Sequence, residues 1–376
     1  SYLGGQRANA IREQGKDGQE TGGVYRSEDG GDTWKRVNSL NPRPFYYSKI
    51  FVDPSDDRHV YVMGIMFHFS TDGGKTFRNG ARGVHPDHHA LWVNPRDGRH
   101  LILGCDGGLY ISHDRGATWD FHNVMDIGQF YDVGVDTRAP YWVYGGLQDN
   151  GSWGAPSRKR GRTGPLNSDW LRIGGGDGFL CRADPDDPTT VYCEMQGGRV
   201  WRVNVNTGER YTLRPPGKDL RFNWKTPFTL SPHDSKVFHY AGNYVFKSEQ
   251  RGEDLQRISE RIGRTERGTA TALSHSPKDA KVLWVGTDDG ALWVTRDGGK
   301  KWSDLTRRIG RPKPFHVASI EASRFKAGRA YVAFDGHRSN NDAPHLYVTE
   351  DFGQTWKGIT ANLPAGSTRC LREDVI

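Results

Sequence analysis

The stretch STDGGKTF, residues 70–77, has four close relatives along the chain: SEDGGDTW at 27–34, SHDRGATW at 112–119, TRDGGKKW at 295–302 and TEDFGQTW at 349–356. Two weaker echoes, VNTGER at 205–210 and SEQRGEDL at 248–255, keep the turn glycine and lose the aspartate or the aromatic. A turn that returns every forty to fifty residues or so marks a repeat protein, because one such unit cannot bury its apolar face alone and must stack on its neighbours. This repeat constrains the fold more than any single residue does.

Residues 46–77 show the grammar of one unit. An alternating strand ends at Asp53-Pro54, a polar turn follows, HVYVMG makes a second strand, a third runs into the Asp-containing turn, and a fourth follows it. That is a four-stranded antiparallel meander, and the same order fits about seven segments between 43 and 366. The expected fold class is therefore all-β, a β-propeller of four-stranded antiparallel blades, with a partial blade at 1–42 and a lone first strand at 367–376. The 48 glycines and 19 prolines agree with short strands and many turns. One propeller region covering 1–376 is expected. Its ends leave two readings: together they complete an eighth blade, or neighbouring blades belong to a longer protein, the reading that the opening Ser1 favours.

Within the turn, Asp72 is placed to accept hydrogen bonds from its own loop, the glycines supply positive φ, and Phe77, Trp in the other copies, packs between sheets. A row of catalytic or calcium-binding aspartates is excluded by spacing, since turns on separate blades cannot converge. These turns resemble the Asp boxes of BNR-repeat propellers, found in sialidases, xyloglucanases and the sortilin N-terminal domain. HPDHHALWVNP, GGLQDNGSWGAPSR, GGGDGF and LRFNW resemble stretches of the large bacterial sortilin-like, or glycosyl-hydrolase BNR-repeat, proteins in particular. The resemblance covers nearly the whole chain and implies the propeller fold. It leaves activity open, because that group is named mainly for its repeats.

Strand direction sorts the polar residues. If the Asp-Pro turns and the Asp boxes share one face, the loops before first strands and those between second and third strands gather on the other. That second face carries His88, Asp106, Gln129, Gln148, Asn150, Glu194, Arg221, Asn223, Trp224, Asp289, Asp335 and Arg338 as candidate ligand-binding residues. The segment 145–179 is the richest. It brings Asp149 and Asp177 to adjacent blades, where one carboxyl could protonate a leaving oxygen while the other activates water or attacks, and Trp153 and Trp224 offer faces for sugar rings. The plainer reading is that Asp149 and Asp177 tie loops together through backbone hydrogen bonds. A sialidase site, which the resemblance would place on an arginine cluster, is disfavoured because only Arg221 and Arg338 fall on this face.

Other classes are excluded more simply. The net charge of +7 permits an acidic partner, but the basic residues are scattered and SRKRGR at 157–162 reads as a solvated loop, so no nucleic-acid partner is expected. Four cysteines without CxxC spacing argue against zinc and redox sites; Cys181 and Cys193 read as buried thiols on neighbouring strands. His88 and His89 point to opposite faces of a strand, so at most one could join a metal, and neither a metal nor a cofactor is expected. No apolar stretch reaches membrane-spanning length. An extracellular or periplasmic location is expected, with no signal peptide in this chain. Three functions remain, in order: a ligand-binding or interaction propeller for a glycan or protein partner, a glycoside hydrolase acting through Asp149 and Asp177, and a scaffold without a small ligand.

Overall fold

The computed structural model describes residues 8, 9, 11–44, 46–125, 127–161, 163–310 and 314–376. Its strands are all antiparallel and form seven four-stranded sheets and one two-stranded sheet among the described residues. Among the described residues helical structure is limited to single 3-10 turns such as Ile11–Glu13, and no helix is long and apolar enough to cross a membrane. The chain is described as two compact units, Ser1–Ile127 and Gly128–Ile376.

Unit 1 holds the two-stranded sheet 1 (Val24–Arg26 and Lys35–Asn38), then sheet 2, which opens on Lys49–Val52, and sheet 3, which opens on His88–Val93. Unit 2 holds sheets 4 to 8, whose first strands are Phe130–Val135, Gly178–Ala183, Phe228–Leu230, Ala270–His275 and His316–Ala322. In every four-stranded sheet the strand order follows the chain, which is the meander expected from sequence. The seven sheets coincide with the seven sequence units.

Each recurring turn closes on itself by the same hydrogen bonds. Ser70 Oγ accepts from the Gly74 N–H at 2.9 Å and donates to Asp72 Oδ1 at 2.7 Å; Asp72 in turn accepts from the Thr76 N–H at 2.9 Å and the Thr76 hydroxyl at 2.6 Å. The copies beginning at Ser112, Thr295 and Thr349 repeat the Ser/Thr–Asp–Gly pattern. Gly73 and Gly74 both have positive φ there, a conformation that a side chain would strain. The echo at 248–255 keeps this chemistry with a displaced carboxylate: Ser248 Oγ caps the Gly252 N–H and donates to Asp254.

The turn aromatic packs on the sheet that precedes its own. Phe77 joins Val24 and Val37 of sheet 1 and Leu40 just after it; Trp119 meets Phe67 of sheet 2; Trp302 donates its indole N–H to Ile258 O, just after sheet 6, at 2.8 Å. Trp34, in sheet 1, has no preceding sheet among the described residues and is 62% exposed, beside a hollow of about 410 Å³ that Ile50 and Val52 also line. Larger cores fill the spaces between sheets 5 and 6, around Tyr192, Phe228, Phe238 and Tyr240, and between sheets 7 and 8, around Trp284, Val294, Val317 and Phe334. Burying an aromatic in such a seam stabilises by about 3 kcal/mol or more, the cost of truncating it.

First strands inside unit 2 pack on one another from sheet 4 through sheet 8. Sheets 4 and 5 meet backbone to backbone: a Cβ on Gly134 would lie 2.2 Å from Cys181 O, and one on Gly146 would lie 2.1 Å from the Gly178 carbonyl carbon. Cys181 and Cys193 are direct cross-strand partners, buried and unbridged, with burial pushing the Cys181 thiol up to about 12. Residues 367–376, expected as a lone first strand, pair with no strand among the described residues; Glu373 fastens the segment, accepting from Ser323 Oγ and the Arg324 N–H at 2.8 Å each. The opening SYLGG lies outside the described residues.

Candidate functional site

Hydrogen bonds separate the two ends of each sheet. At one end the third-to-fourth turn sits on the first-to-second turn of its own sheet, through Gly73 N–H to Arg58 O in unit 1 and Gly298 N–H to Lys281 O in unit 2, both 2.9 Å. At the other end the loops bond to loops of the next sheet. In unit 2 the Asp149 N–H donates to Asp177 Oδ1 at 2.8 Å and the Asp177 N–H donates to Gln196 Oε1 at 2.9 Å. These two contacts join sheets 4 and 5 through one line of polar groups. Asp149 adopts φ 60°, which the short Asp side chain tolerates better than most.

Further along that end, the Arg221 N–H donates to Asn243 Oδ1 at 3.0 Å, and Asn223 Nδ2 reaches both Thr269 Oγ1 at 3.0 Å and Asp288 Oδ2 at 3.2 Å, linking sheet 6 to sheet 7. Asp289 accepts from Thr265 N–H at 2.7 Å and from Thr287 Oγ1 at 2.6 Å. Trp224 is 58% exposed while its carbonyl accepts from the Gly197 N–H at 3.0 Å, so an open indole face stands beside the loop that holds Gln196. In sheet 8, Asp335 takes His337 Nδ1 at 2.7 Å and Arg369 Nε at 3.2 Å, while Arg338 stays exposed on the short 3-10 turn His337–Ser339. Gln148 and Gln129 meet through backbone, Gln148 N–H to Gln129 O at 3.0 Å, and Asn150 Nδ2 returns to Gln148 O at 2.9 Å.

Three candidates stand elsewhere than a solvated loop. Trp153 lies inside the strand Gly151–Pro156, opposite Gly145 and Arg172, half-buried with its indole N–H on Asn150 O; the segment 145–179 is not one loop, because it contains this strand and the antiparallel strand Leu171–Gly174. Glu194 is fully buried on the strand Thr190–Met195. Its Oε1 accepts the Thr226 N–H at 3.1 Å, and burial raises its pKa well above the usual carboxyl range. His88, in unit 1, is buried against the edge of Phe67, and burial pushes its pKa down to about 4. Its neighbour His89 is the one that reaches Asp106, Nε2 to Oδ1 at 3.0 Å, with the Tyr47 ring 4.3 Å away.

Sequence reasoning missed two groups. In unit 1, Asp87 accepts from the Tyr47 hydroxyl and pairs with Arg43 at 3.4 Å, beside the His89–Asp106 pair. In unit 2, Asp132 on the first strand of sheet 4 takes Arg182 of sheet 5 at 2.9 Å on one oxygen and Lys225, just before sheet 6, at 3.1 Å on the other. The available signal was a charged residue inside a first strand, Asp132 in FYDVGV and Arg182 in FLCRAD, where a partly buried charge is expensive unless it is paired. Among the described residues no group of three or more His, Cys, Asp or Glu side chains is arranged to hold a metal ion.

With this geometry in place, the similarities to known proteins fall as follows. The Sortilin-Vps10 family model, described as sortilin, neurotensin receptor 3, matches residues 22–131. That is under a third of the chain. Among curated proteins none matches the sequence. Solved structures with similarity include YCF48 bound to D1 peptide, at 11% identity and TM-score 0.40, covering 82% of this chain and 97% of that one. YCF48 from Cyanidioschyzon merolae gives 12% and 0.40, covering 80% and 94%. The GH74 xyloglucanase from Xanthomonas campestris gives 16% and 0.33, covering 92% of this chain and 65% of its own. The propeller-like repeat architecture rests on the sheets themselves.

Proposed function

We propose that this chain is a ligand-binding or interaction module whose partner, a glycan or a protein, meets the loop end of unit 2, opposite the recurring aspartate turns. The observation that carries the reading is the contrast in how the two ends use polar groups. At the turn end each aspartate is consumed by its own loop. At the loop end Asp149, Asp177, Asn223 and Asp288 join neighbouring sheets, and Trp224, whose carbonyl accepts from the Gly197 N–H, exposes its indole there. A rigid polar rim around an exposed aromatic is the usual make-up of a saccharide or peptide contact.

The same geometry ranks binding above cleavage. Asp177 is buried and its carboxylate accepts a backbone N–H from Asp149, which supports the loop-tying role for this pair over a proton-transfer role. Capture on an array of glycans and peptides tests the reading. The parent chain should retain at least one class of ligand, and Trp224→Ala should weaken that capture about tenfold with an unchanged melting temperature. A blank array, or capture indifferent to Trp224, would count against it.

A further inference from the structure

Asp132, Arg182 and Lys225 come from the first strands, or the approach to them, of three consecutive sheets, and they form a bridged cluster: two cations on the two oxygens of one carboxylate. Glu194, fully buried and accepting from the Thr226 N–H, has its pKa raised by that burial. Within the cluster two cations share one carboxylate, a surplus of one positive charge. Its cations are not sealed: the side chains of Arg182 and Lys225 remain 34% and 44% exposed.

Donor capacity is left over as well. Arg182 spends Nη1 on Asp132 and on Cys181 O at 2.8 Å, which leaves Nε and Nη2 without a protein partner among the described residues. Lys225 spends one of its three ammonium hydrogens, on Asp132. A guanidinium fork and an ammonium held side by side by a shared carboxylate match the paired oxygens of a second anion, and the shared carboxylate fixes both cations before a ligand arrives. Lys225 also follows Trp224 directly in the chain, and both side chains are exposed, at 44% and 58%. An aromatic face next to an anion-binding fork suits an acidic sugar ring better than an acidic peptide, whose side chains would use the cations and leave the indole uncovered.

We infer that Arg182 and Lys225, bridged by Asp132, form an anion subsite, and that the partner of the loop end is an acidic polysaccharide whose carboxylate or sulfate group occupies it. The inference rests on the proposed loop-end reading and deepens it. The net charge of +7 on the whole chain favours the approach of such a polymer.

Titration calorimetry with the full chain and four probes tests it: oligogalacturonate for the carboxylate, a heparin oligosaccharide for the sulfate, neutral xyloglucan oligosaccharide, and polyglutamate. The expected result is that one or both acidic saccharides bind at least tenfold tighter than the neutral one, that affinity falls with added salt, and that Lys225→Gln abolishes the preference while Lys225→Arg restores it. Arg182→Gln should act in the same direction, and because it strips a partner from Asp132, the more exposed Lys225 variants keep the test decisive if that chain folds poorly. Equal binding of neutral and acidic saccharides, sensitive to Trp224→Ala, would overturn the anion subsite and leave the loop-end reading standing. Preference for polyglutamate would overturn the saccharide assignment. No binding by any probe together with a blank array would overturn both.

Discussion

The two ends of unit 2 solve the same problem, satisfying polar backbone at strand termini, by opposite means. At the turn end the solution for the backbone is local: Thr295 and Asp297 accept from N–H groups four residues on, at 2.9 Å each, while side chains such as Trp302, on Ile258 O, and Arg251, on Asp184, make the contacts to the neighbouring sheet. At the loop end it is shared: Asp177 accepts from a loop of sheet 4, and Glu194 of sheet 5 accepts from the entry to sheet 6. A local turn can be copied from sheet to sheet unchanged, which is why its sequence recurs. A shared contact depends on which neighbour it meets, and so its residues differ at every sheet and can be turned to recognition.

The comparison breaks most readily where sheets 4 and 5 touch. Gly146→Ala puts a methyl against the Gly178 backbone, which cannot swing aside as a side chain would. A loss of about 3 kcal/mol in denaturant unfolding is expected, the upper part of the range for overpacking. A loss below about 0.5 kcal/mol would mean the sheets are not in backbone contact. At the turn end, Ser248→Ala orphans the buried Gly252 N–H and frees Asp254; the expected cost is about 1–3 kcal/mol. Because the Ser248 hydroxyl bonds to groups of its own turn, loop-end ligand capture should be unaffected in the folded fraction. Reduced capture there would show that the ends are coupled.

The ends should also differ in the sign of their pH dependence. His239, at the turn end, is buried against His275 with ring centroids 4.8 Å apart, and burial lowers its pKa from the usual 6.5 to about 3. A depressed histidine contributes stability that is whole above pH 6.5 and is lost as pH falls toward 3, so His239→Phe should flatten the acid limb of the stability profile. Glu194 is the reverse. Its raised pKa contributes stability that is whole below the ordinary carboxyl value near 4.5 and is lost as pH rises through the raised one, so Glu194→Gln should gain on the parent as pH increases. Each effect is worth at most about 1.4 kcal/mol per pH unit inside its window. Urea melts at several pH values would show parallel curves if either group were solvated.

Much of this fold was legible because its controlling signals are short-range. The aspartate turn, the Asp-Pro corner and strand alternation each lie within one unit, so seven sheets and the sides of their loops follow from reading along the chain. The site was legible only where a loop residue stayed in a loop. His88 and His89 differ by one position in a strand of period two, and that register places the first in the core and the second on Asp106. Trp153 reads as loop because glycines surround it, yet those glycines are in a ladder that passes close to the neighbouring sheet. Asp132 finds Arg182 fifty positions away and Lys225 ninety-three, across sheet seams that no local pattern encodes.

Hydrogen exchange read by mass spectrometry, with and without the tightest binder from the array, tests most directly whether recognition belongs to the loop end. Ligand should slow exchange in 148–150, 175–177, 196–197 and 221–226 and leave the turns at 248–254, 295–302 and 349–356 unchanged. Slowing centred on those three turns, with the loop segments unaltered, would contradict the account.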